Sequence, residues 1–351
     1  MLKRIRLFLA FSLVFWILSF FVSVKLGIIV SIIALISGIG LVVFIFLNKL
    51  VKKTNWWKNK FIGTEQFVSG AGYRDNTIRN YDVINLGSNP ARYAFFYEDV
   101  KGQSWATGSQ GVDMDLEILR LYHSYLKEGG IVLIPIMPFT SISPFLKERQ
   151  EYWGVDYYLK FAKILDSAQV SNLPYGHKLM RYLSYPLLYD IKSIRYIFRD
   201  VLPNYTYLQS EQNMMTLELE ADAAMWIKNW KKEFRLKSLY DVLEDSWTKY
   251  YDEAIDTCKT IVDFCIERNL RPILICVPMT SHLANLFPEK VRKYLVTDFV
   301  KKVNVHNVPF LDYTADIRFV KDEFYINSFF MNLRGRKLFT HQVLSDIGLI
   351  N

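Results

Sequence analysis

Gly87-Ser88-Asn89-Pro90 directly follows the apolar run Tyr81–Leu86, and a serine so placed is a candidate nucleophile. A serine hydroxyl needs a base to take its proton, and imidazole is the commonest one. The chain holds five histidines. His282, in Pro278-Met279-Thr280-Ser281-His282, falls just past another apolar run and is the candidate base. His341 falls on the last helix, eleven residues past Phe330; His123 and His306 read as surface or core residues, and His177 lies in an aromatic-rich insertion. Asp312, at the end of a third run, is a candidate edge carboxylate. Each has a plain reading beside the chemical one. Ser88 before Asn-Pro is good turn and helix-cap chemistry, and capping explains Asp312 equally well. No Gly-rich loop has phosphate-cradle spacing, and no His/Asp/Glu cluster has metal-ligand spacing. Neither a metal nor a cofactor is expected.

These residues need a scaffold, and the pattern after Lys60 supplies one. Strands are expected at Tyr81–Leu86, Trp105–Thr107, Ile131–Ile136, Ile273–Val277 and Val308–Leu311. Helices are expected at Val112–Glu128, stopped by Gly129-Gly130, at Lys249–Arg268 and at Arg334–Ile347. Continuous apolar runs such as Ile131–Ile136 suit strands buried on both faces. Strands alternating with helices imply a three-layer α/β domain with a parallel sheet. In such sheets reactive residues lie just past the strand carboxyl ends. That edge collects Gly87-Ser88-Asn89, Gly102–Gly111, Pro135–Ser141, Pro278–His282 and the segment Asp312–Gly335. Between about 143 and 243 the alternation breaks. Tyr, Trp and Phe crowd this stretch, with a helical piece at Ala221–Phe234. It reads as a helical cap inserted over the sheet edge.

The first 60 residues have a different character. Between Arg6 and Lys49 the only charge is Lys25. Leu7–Val24 and Leu26–Asn48 are each near the ~20 residues a helix needs to cross a bilayer core. The expectation is a two-helix transmembrane hairpin turning at Val24–Gly27. Trp56 and Trp57 suit the headgroup layer. The net charge of +8 belongs to this segment. It holds nine Lys/Arg and no acid, which leaves 34 basic against 35 acidic residues elsewhere. No basic face for nucleic acid is implied. Lys3, Arg4 and Arg6 precede the first run; Lys49, Lys52, Lys53, Lys58 and Lys60 follow the second. The positive-inside rule therefore puts the domain of residues 61–351 in the cytoplasm. Cys258 and Cys265 share a helix face and Cys276 sits in a strand. They read as reduced core thiols.

In order and spacing the segments from Tyr81 onward, insertion excluded, resemble the SGNH/GDSL hydrolase superfamily. The nearest pattern is its membrane-anchored cell-envelope branch, that of teichoic-acid D-alanyl-transfer proteins and alginate O-acetyltransferases. The resemblance rests on strand-Gly-Ser-Asn, Gly102–Gly111, the strand ending Ile-Pro-Ile-Met-Pro-Phe, and Phe329-Phe330-Met331-Asn332-Leu333-Arg334-Gly335. It implies a pocket with Gly87, Gly108, Pro138 and Thr140. It also implies a nucleophilic Ser and a C-terminal Asp-x-x-His. Gly87 matches the family's Gly, Ser88 the middle residue, and Asn89 falls at the nucleophile. Asn327 falls at the Asp and Phe330 at the His. Met331, Asn332 and Gly335 match the Leu, Asn and Gly that open the last helix. All three catalytic positions depart. A phenyl ring accepts no proton, and a carboxamide cannot stand in for a carboxylate beside an imidazolium. The resemblance thus implies a pseudoenzyme bound to the bilayer, with a binding or accessory role in envelope polysaccharide metabolism and glycans or envelope-biosynthesis proteins as partners. The alternative is an active O-acyl esterase or acyltransferase using Ser88 with His282. The branch it resembles works outside the cell, whereas the charge asymmetry points inside.

Overall fold

The computed structural model describes residues 2–19, 24–59, 80–148, 154–162, 165–199 and 214–350. It divides into two compact units, Met1–Lys58 with Arg181–Leu202, and Asn59–Met180 with Pro203–Asn351.

In the first unit, α1 spans Leu2–Ser19 and α2 spans Val24–Lys53. The expected turn at Val24–Gly27 is instead the first turn of α2; residues 20–23 lie outside the described residues. A lone glycine costs a helix only ~1 kcal/mol, too little to stop an apolar one. The two helices lie together at Gly38, where a Cβ would stand 3.2 Å from the Phe8 ring. Among the described residues one helix, Val30–Lys53, is long and apolar enough to cross a membrane, with mean hydropathy 2.9. Among the described residues α1 contributes a shorter apolar stretch, Leu7–Trp16. Trp57 is buried, whereas Trp56 is partly exposed.

The second unit is built on a five-stranded sheet: β1 Tyr81–Asn85, β2 Gly102–Ser104, β3 Leu126–Pro135, β4 Arg271–Cys276 and β5 Phe310–Asp312. The order is β2-β1-β3-β4-β5 and every pairing is parallel. Ile84 pairs with Val132, Leu133 with Ile273, and Ile275 with Leu311. Neighbouring residues such as Val83 and Ile84, which point to opposite faces, are both fully buried, so both faces are covered. Helices α3 Val112–Tyr122, α5 Thr248–Ile266 and α6 Leu333–Asp346 belong to this unit, and α4 Thr216–Glu233 lies at the sheet's carboxyl edge. Ile255, Cys258, Val262 and Cys265 form the buried face of α5. All three cysteines are buried and free, and burial pushes each thiol upward.

Three boundaries differ from the sequence expectation. The helix after Val112 ends at Tyr122, and a 3-10 turn His123–Tyr125 leads straight into β3. Leu126 continues the helical spacing of Leu119 and Tyr122, but it is buried by pairing with Tyr81. Gly129-Gly130 then lies in a bulge between the Tyr81–Leu126 and Val83–Ile131 pairs, with Gly129 at φ +70°. The strand expected at Trp105–Thr107 lies at Gly102–Ser104. Trp105 N–H to Asn85 O (2.8 Å) and Thr107 N–H to Gly87 O (3.2 Å) carry the pairing onward. The last strand is Phe310–Asp312, two residues later than its apolar run.

Candidate functional site

With order 2-1-3-4-5, the chain leaves β1 and β3 in opposite directions. A crevice opens outside their carboxyl ends, where doubly wound sheets bind ligands. A cavity of about 150 Å³ lies there. Its floor is Gly87–Pro90 from the end of β1 and Pro135–Thr140 from the end of β3. Gln110 and Asp115 close one side. Trp226, Trp230, Phe234, Phe329 and Phe330 build the walls, with Glu233 at the same cavity.

The floor is set by one glycine. Gly87 has φ +103°, and a Cβ there would lie 3.0 Å from Pro135 Cγ and 3.1 Å from Ala91 Cβ. Only glycine fits such a turn. The Gly87 N–H donates to Asp115 Oδ1 at 2.8 Å. Gln110 Nε2 donates to the same oxygen at 2.5 Å and to Trp105 O at 3.1 Å. Asp115 is 4% exposed. Burial pushes its carboxyl up to about 7, against the pull of the hydrogen bonds from Gln110 and Gly87 and with a push from nearby Asp113. Sequence reading passed over this residue. A signal was present, because Asp115 sits four residues before Leu119 on the apolar face of α3.

Ser88 occupies the cap position of the short helix Asn89–Arg92, yet its hydroxyl makes no capping bond. Ser88 and Asn89 both line the cavity. The Asn89 side chain lies against Gly108, where a Cβ would come 3.1 Å from Asn89 Oδ1. Pro138 and Thr140 line the cavity, and Thr140 Oγ1 accepts the Met137 N–H at 2.8 Å. Gly108 stands behind Asn89 and does not line it.

The opposite wall is a turn from the C-terminal segment. Asn327 Oδ1 accepts the N–H groups of Phe329 (2.9 Å) and Phe330 (2.8 Å). This Asx turn aims both rings inward. Phe330 stacks on Tyr93 (4.8 Å between centroids, 17°) and meets Trp226 edge-on (5.3 Å, 67°). Phe329 meets Trp230 edge-on at 5.1 Å. Buried Ser328 donates its N–H (2.8 Å) and hydroxyl (2.5 Å) to Asp222 Oδ2, while its carbonyl accepts from Thr280 Oγ1 (2.8 Å). Asp222, Trp226 and Trp230 all lie on α4, at successive four-residue steps. One face of the inserted helix thus clamps the turn and supplies the aromatic walls. Asn332 caps α6 through Gly335 N–H (2.9 Å), and a Cβ at Gly335 would strike Phe324 O. The Met-Asn-Leu-Arg-Gly run therefore has a structural use.

His282 is not at this cavity. Its Nε2 lies 3.1 Å from Asp322 Oδ2, and its Nδ1 lies 3.9 Å from Glu220. Among the described residues lining the cavity none is a histidine, lysine or arginine. His306 pairs with Asp263, His341 with Asp99, His123 with the Arg120 carbonyl, and His177 is exposed. Asp312 accepts the Thr314 N–H and lines a separate cavity of about 40 Å³. Among the described residues no three His, Cys, Asp or Glu side chains come together as a metal would need. The arrangement offers polar partners on a floor and ring faces on the walls. It offers no imidazole to take a proton from Ser88. No protein-family model matches this chain, and no curated protein matches it.

Proposed function

We propose that this chain is a membrane-anchored binding protein: an SGNH-hydrolase-like domain whose catalytic set has been replaced and whose edge cavity holds an envelope glycan. The observation that carries the reading is the turn at 327–330. Asn327 spends its side-chain oxygen on two backbone N–H groups, and Phe330 is packed between Tyr93 and Trp226. These are binding-wall roles, where the resembled enzymes need an acid and a base. Ring faces beside Asn89, Gln110 and Thr140 suit a sugar, which presents C–H patches and hydroxyls together.

Tryptophan emission tests the binding. Titrating the purified chain with acetylated and unacetylated envelope oligosaccharides shifts its emission saturably. Trp230→Ala weakens the apparent affinity by roughly tenfold, about 1.4 kcal/mol. Emission indifferent to every such glycan removes the reading.

α1 and α2 are the two arms of the proposed anchor, and the basic flanks assign the domain to the cytoplasm. A cysteine at Ile317, which is 81% exposed, stays unlabelled by an impermeant maleimide in intact cells and labels after lysis. The buried native thiols give little background. Ready labelling in intact cells reverses the orientation.

A further inference from the structure

Pro186–Phe198 lies in the N-terminal unit and grips the end of α2. Leu187 N–H donates to Asn48 Oδ1 at 2.9 Å, and Asn48 is 2% exposed. Tyr185 packs on Phe44 at 5.7 Å, and Tyr196 stacks on Trp56 at 5.0 Å and 10°. These three anchors lie along the last part of the apolar helix and just beyond it.

The segment folds as successive short turns, Pro186–Leu188, Ile191–Ile194 and Arg195–Phe198. Its exposed residues keep helical spacing: Leu188, Ile191, Lys192, Arg195, Phe198 and Arg199. The turns Ile191–Ile194 and Arg195–Phe198 run on without a break, so this spacing puts Ile191, Lys192, Arg195 and Phe198 on one side, with Leu188 and Arg199 exposed at its two ends. Phe198 is 84% exposed and Ile191 65%. Among the described residues, Lys192, Arg195 and Arg199 form no ion pair. Arg195 lies over the Tyr196 ring at 4.8 Å and donates to its hydroxyl at 2.8 Å, which leaves its charge without a carboxylate. Apolar side chains as exposed as Phe198 and Ile191 do not suit water. They suit a bilayer surface, where the apolar groups enter the acyl boundary and the cations meet phosphates.

We infer that Leu188–Arg199 is a second membrane contact, an interfacial face that binds anionic lipid headgroups beside the end of α2. The inference rests on reading α2 as membrane-spanning. Continuity selects lipid as the occupant, because the segment is fixed to the same helix whose Val42 and Phe46 are 67% and 57% exposed. Tyr196 on Trp56, Tyr185 on Phe44 and the Tyr182–Tyr189 pair add the amphipathic rings typical of an interface.

The test uses the full chain in vesicles of phosphatidylcholine with phosphatidylglycerol, and of phosphatidylcholine alone. Ile191→Cys and Phe198→Cys carry a nitroxide label, read by its collision with oxygen and with a water-soluble nickel chelate. Val42→Cys reports the span and Ile317→Cys reports water. Labels at 191 and 198 favour oxygen severalfold over the Ile317 label, and more so with phosphatidylglycerol present. Lys192→Glu, Arg195→Glu and Arg199→Glu together remove that lipid dependence. Labels at 191 and 198 that match Ile317 in both vesicles, while Val42 favours oxygen, overturn the inference and leave the span standing. A Val42 label open to nickel overturns both. Labels at 191 and 198 shielded from both reagents replace lipid with a protein occupant.

Discussion

The expected result is that the purified protein hydrolyses aryl acetates no faster than buffer and that Ser88→Ala changes nothing. The reason is that a serine hydrolase works as a unit. The hydroxyl loses its proton to a base while the oxyanion is held. Removing the set in a true enzyme costs on the order of 10⁶ in rate, roughly 8 kcal/mol of barrier. Here the cavity lined by Ser88 and Asn89 has Phe330 on its wall and no histidine, lysine or arginine among its described lining residues. The nearest rings to Phe330 are Tyr93 and Trp226, neither of which accepts a proton from a serine. His282 is turned to Asp322 and Glu220. Asn89→Ser, Asn327→Asp and Phe330→His together restore slow turnover, while any one alone does not. The aspartate at 327 can accept the same two N–H groups that the asparagine accepts, so the turn survives the change. The imidazole at 330 must fit between two rings. Clear turnover by the unaltered protein, lost in Ser88→Ala, would hand the site to an esterase reading with Ser88 as nucleophile.

The scaffold was legible because it rests on local signals. Ile131–Ile136 and Ile273–Val277 are apolar runs too short for helices, and all but the last residue of each lies in β3 and β4. Cys258, Val262 and Cys265 mark the buried face of α5 at helical spacing. The end of α3 was not legible, because Leu126 satisfies the helical period and the strand alike. The site was half legible. Gly87 to Asn89 and Phe330 lie at positions that a strand-edge argument reaches. The walls lie beyond such an argument. Trp226 and Trp230 meet the turn only because Asp222 binds Ser328, a residue 106 positions away. No periodicity announces a contact of that range. Residues 181–202 fall inside the stretch whose pattern reads as one insertion, yet they group with the N-terminal helices. Its anchor, Asn48, looks in sequence like the end of an apolar run. Only the structure shows its amide bound to Leu187.

Stability of the sheet unit falls as pH rises from about 4 through 7, and Asp115→Asn removes most of that fall. In the unfolded chain an aspartate titrates near 3.9. In the folded chain burial pushes Asp115 up to about 7. Between those values the folded state holds a proton that the unfolded state has released, so its contribution is fully present below pH ~4. It is lost as pH climbs through 7. About three pH units correspond to roughly 4 kcal/mol at most. Asp113 on the same helix is also raised by burial, with Lys147 pulling it down, and leaves a smaller slope in the same direction. The asparagine keeps an oxygen for the Gly87 and Gln110 N–H groups and carries no proton to lose. Pairs such as His306 with Asp263 are untouched by the change, so subtracting the two pH curves isolates Asp115. Denaturant midpoints between pH 4 and 8, followed by circular dichroism on both proteins, read the difference. Equal slopes would show that Asp115 is charged in the fold at neutral pH. The Gly87 turn would then be held by a carboxylate rather than by a protonated acid, and the cavity beside Ser88 would carry a fixed negative charge.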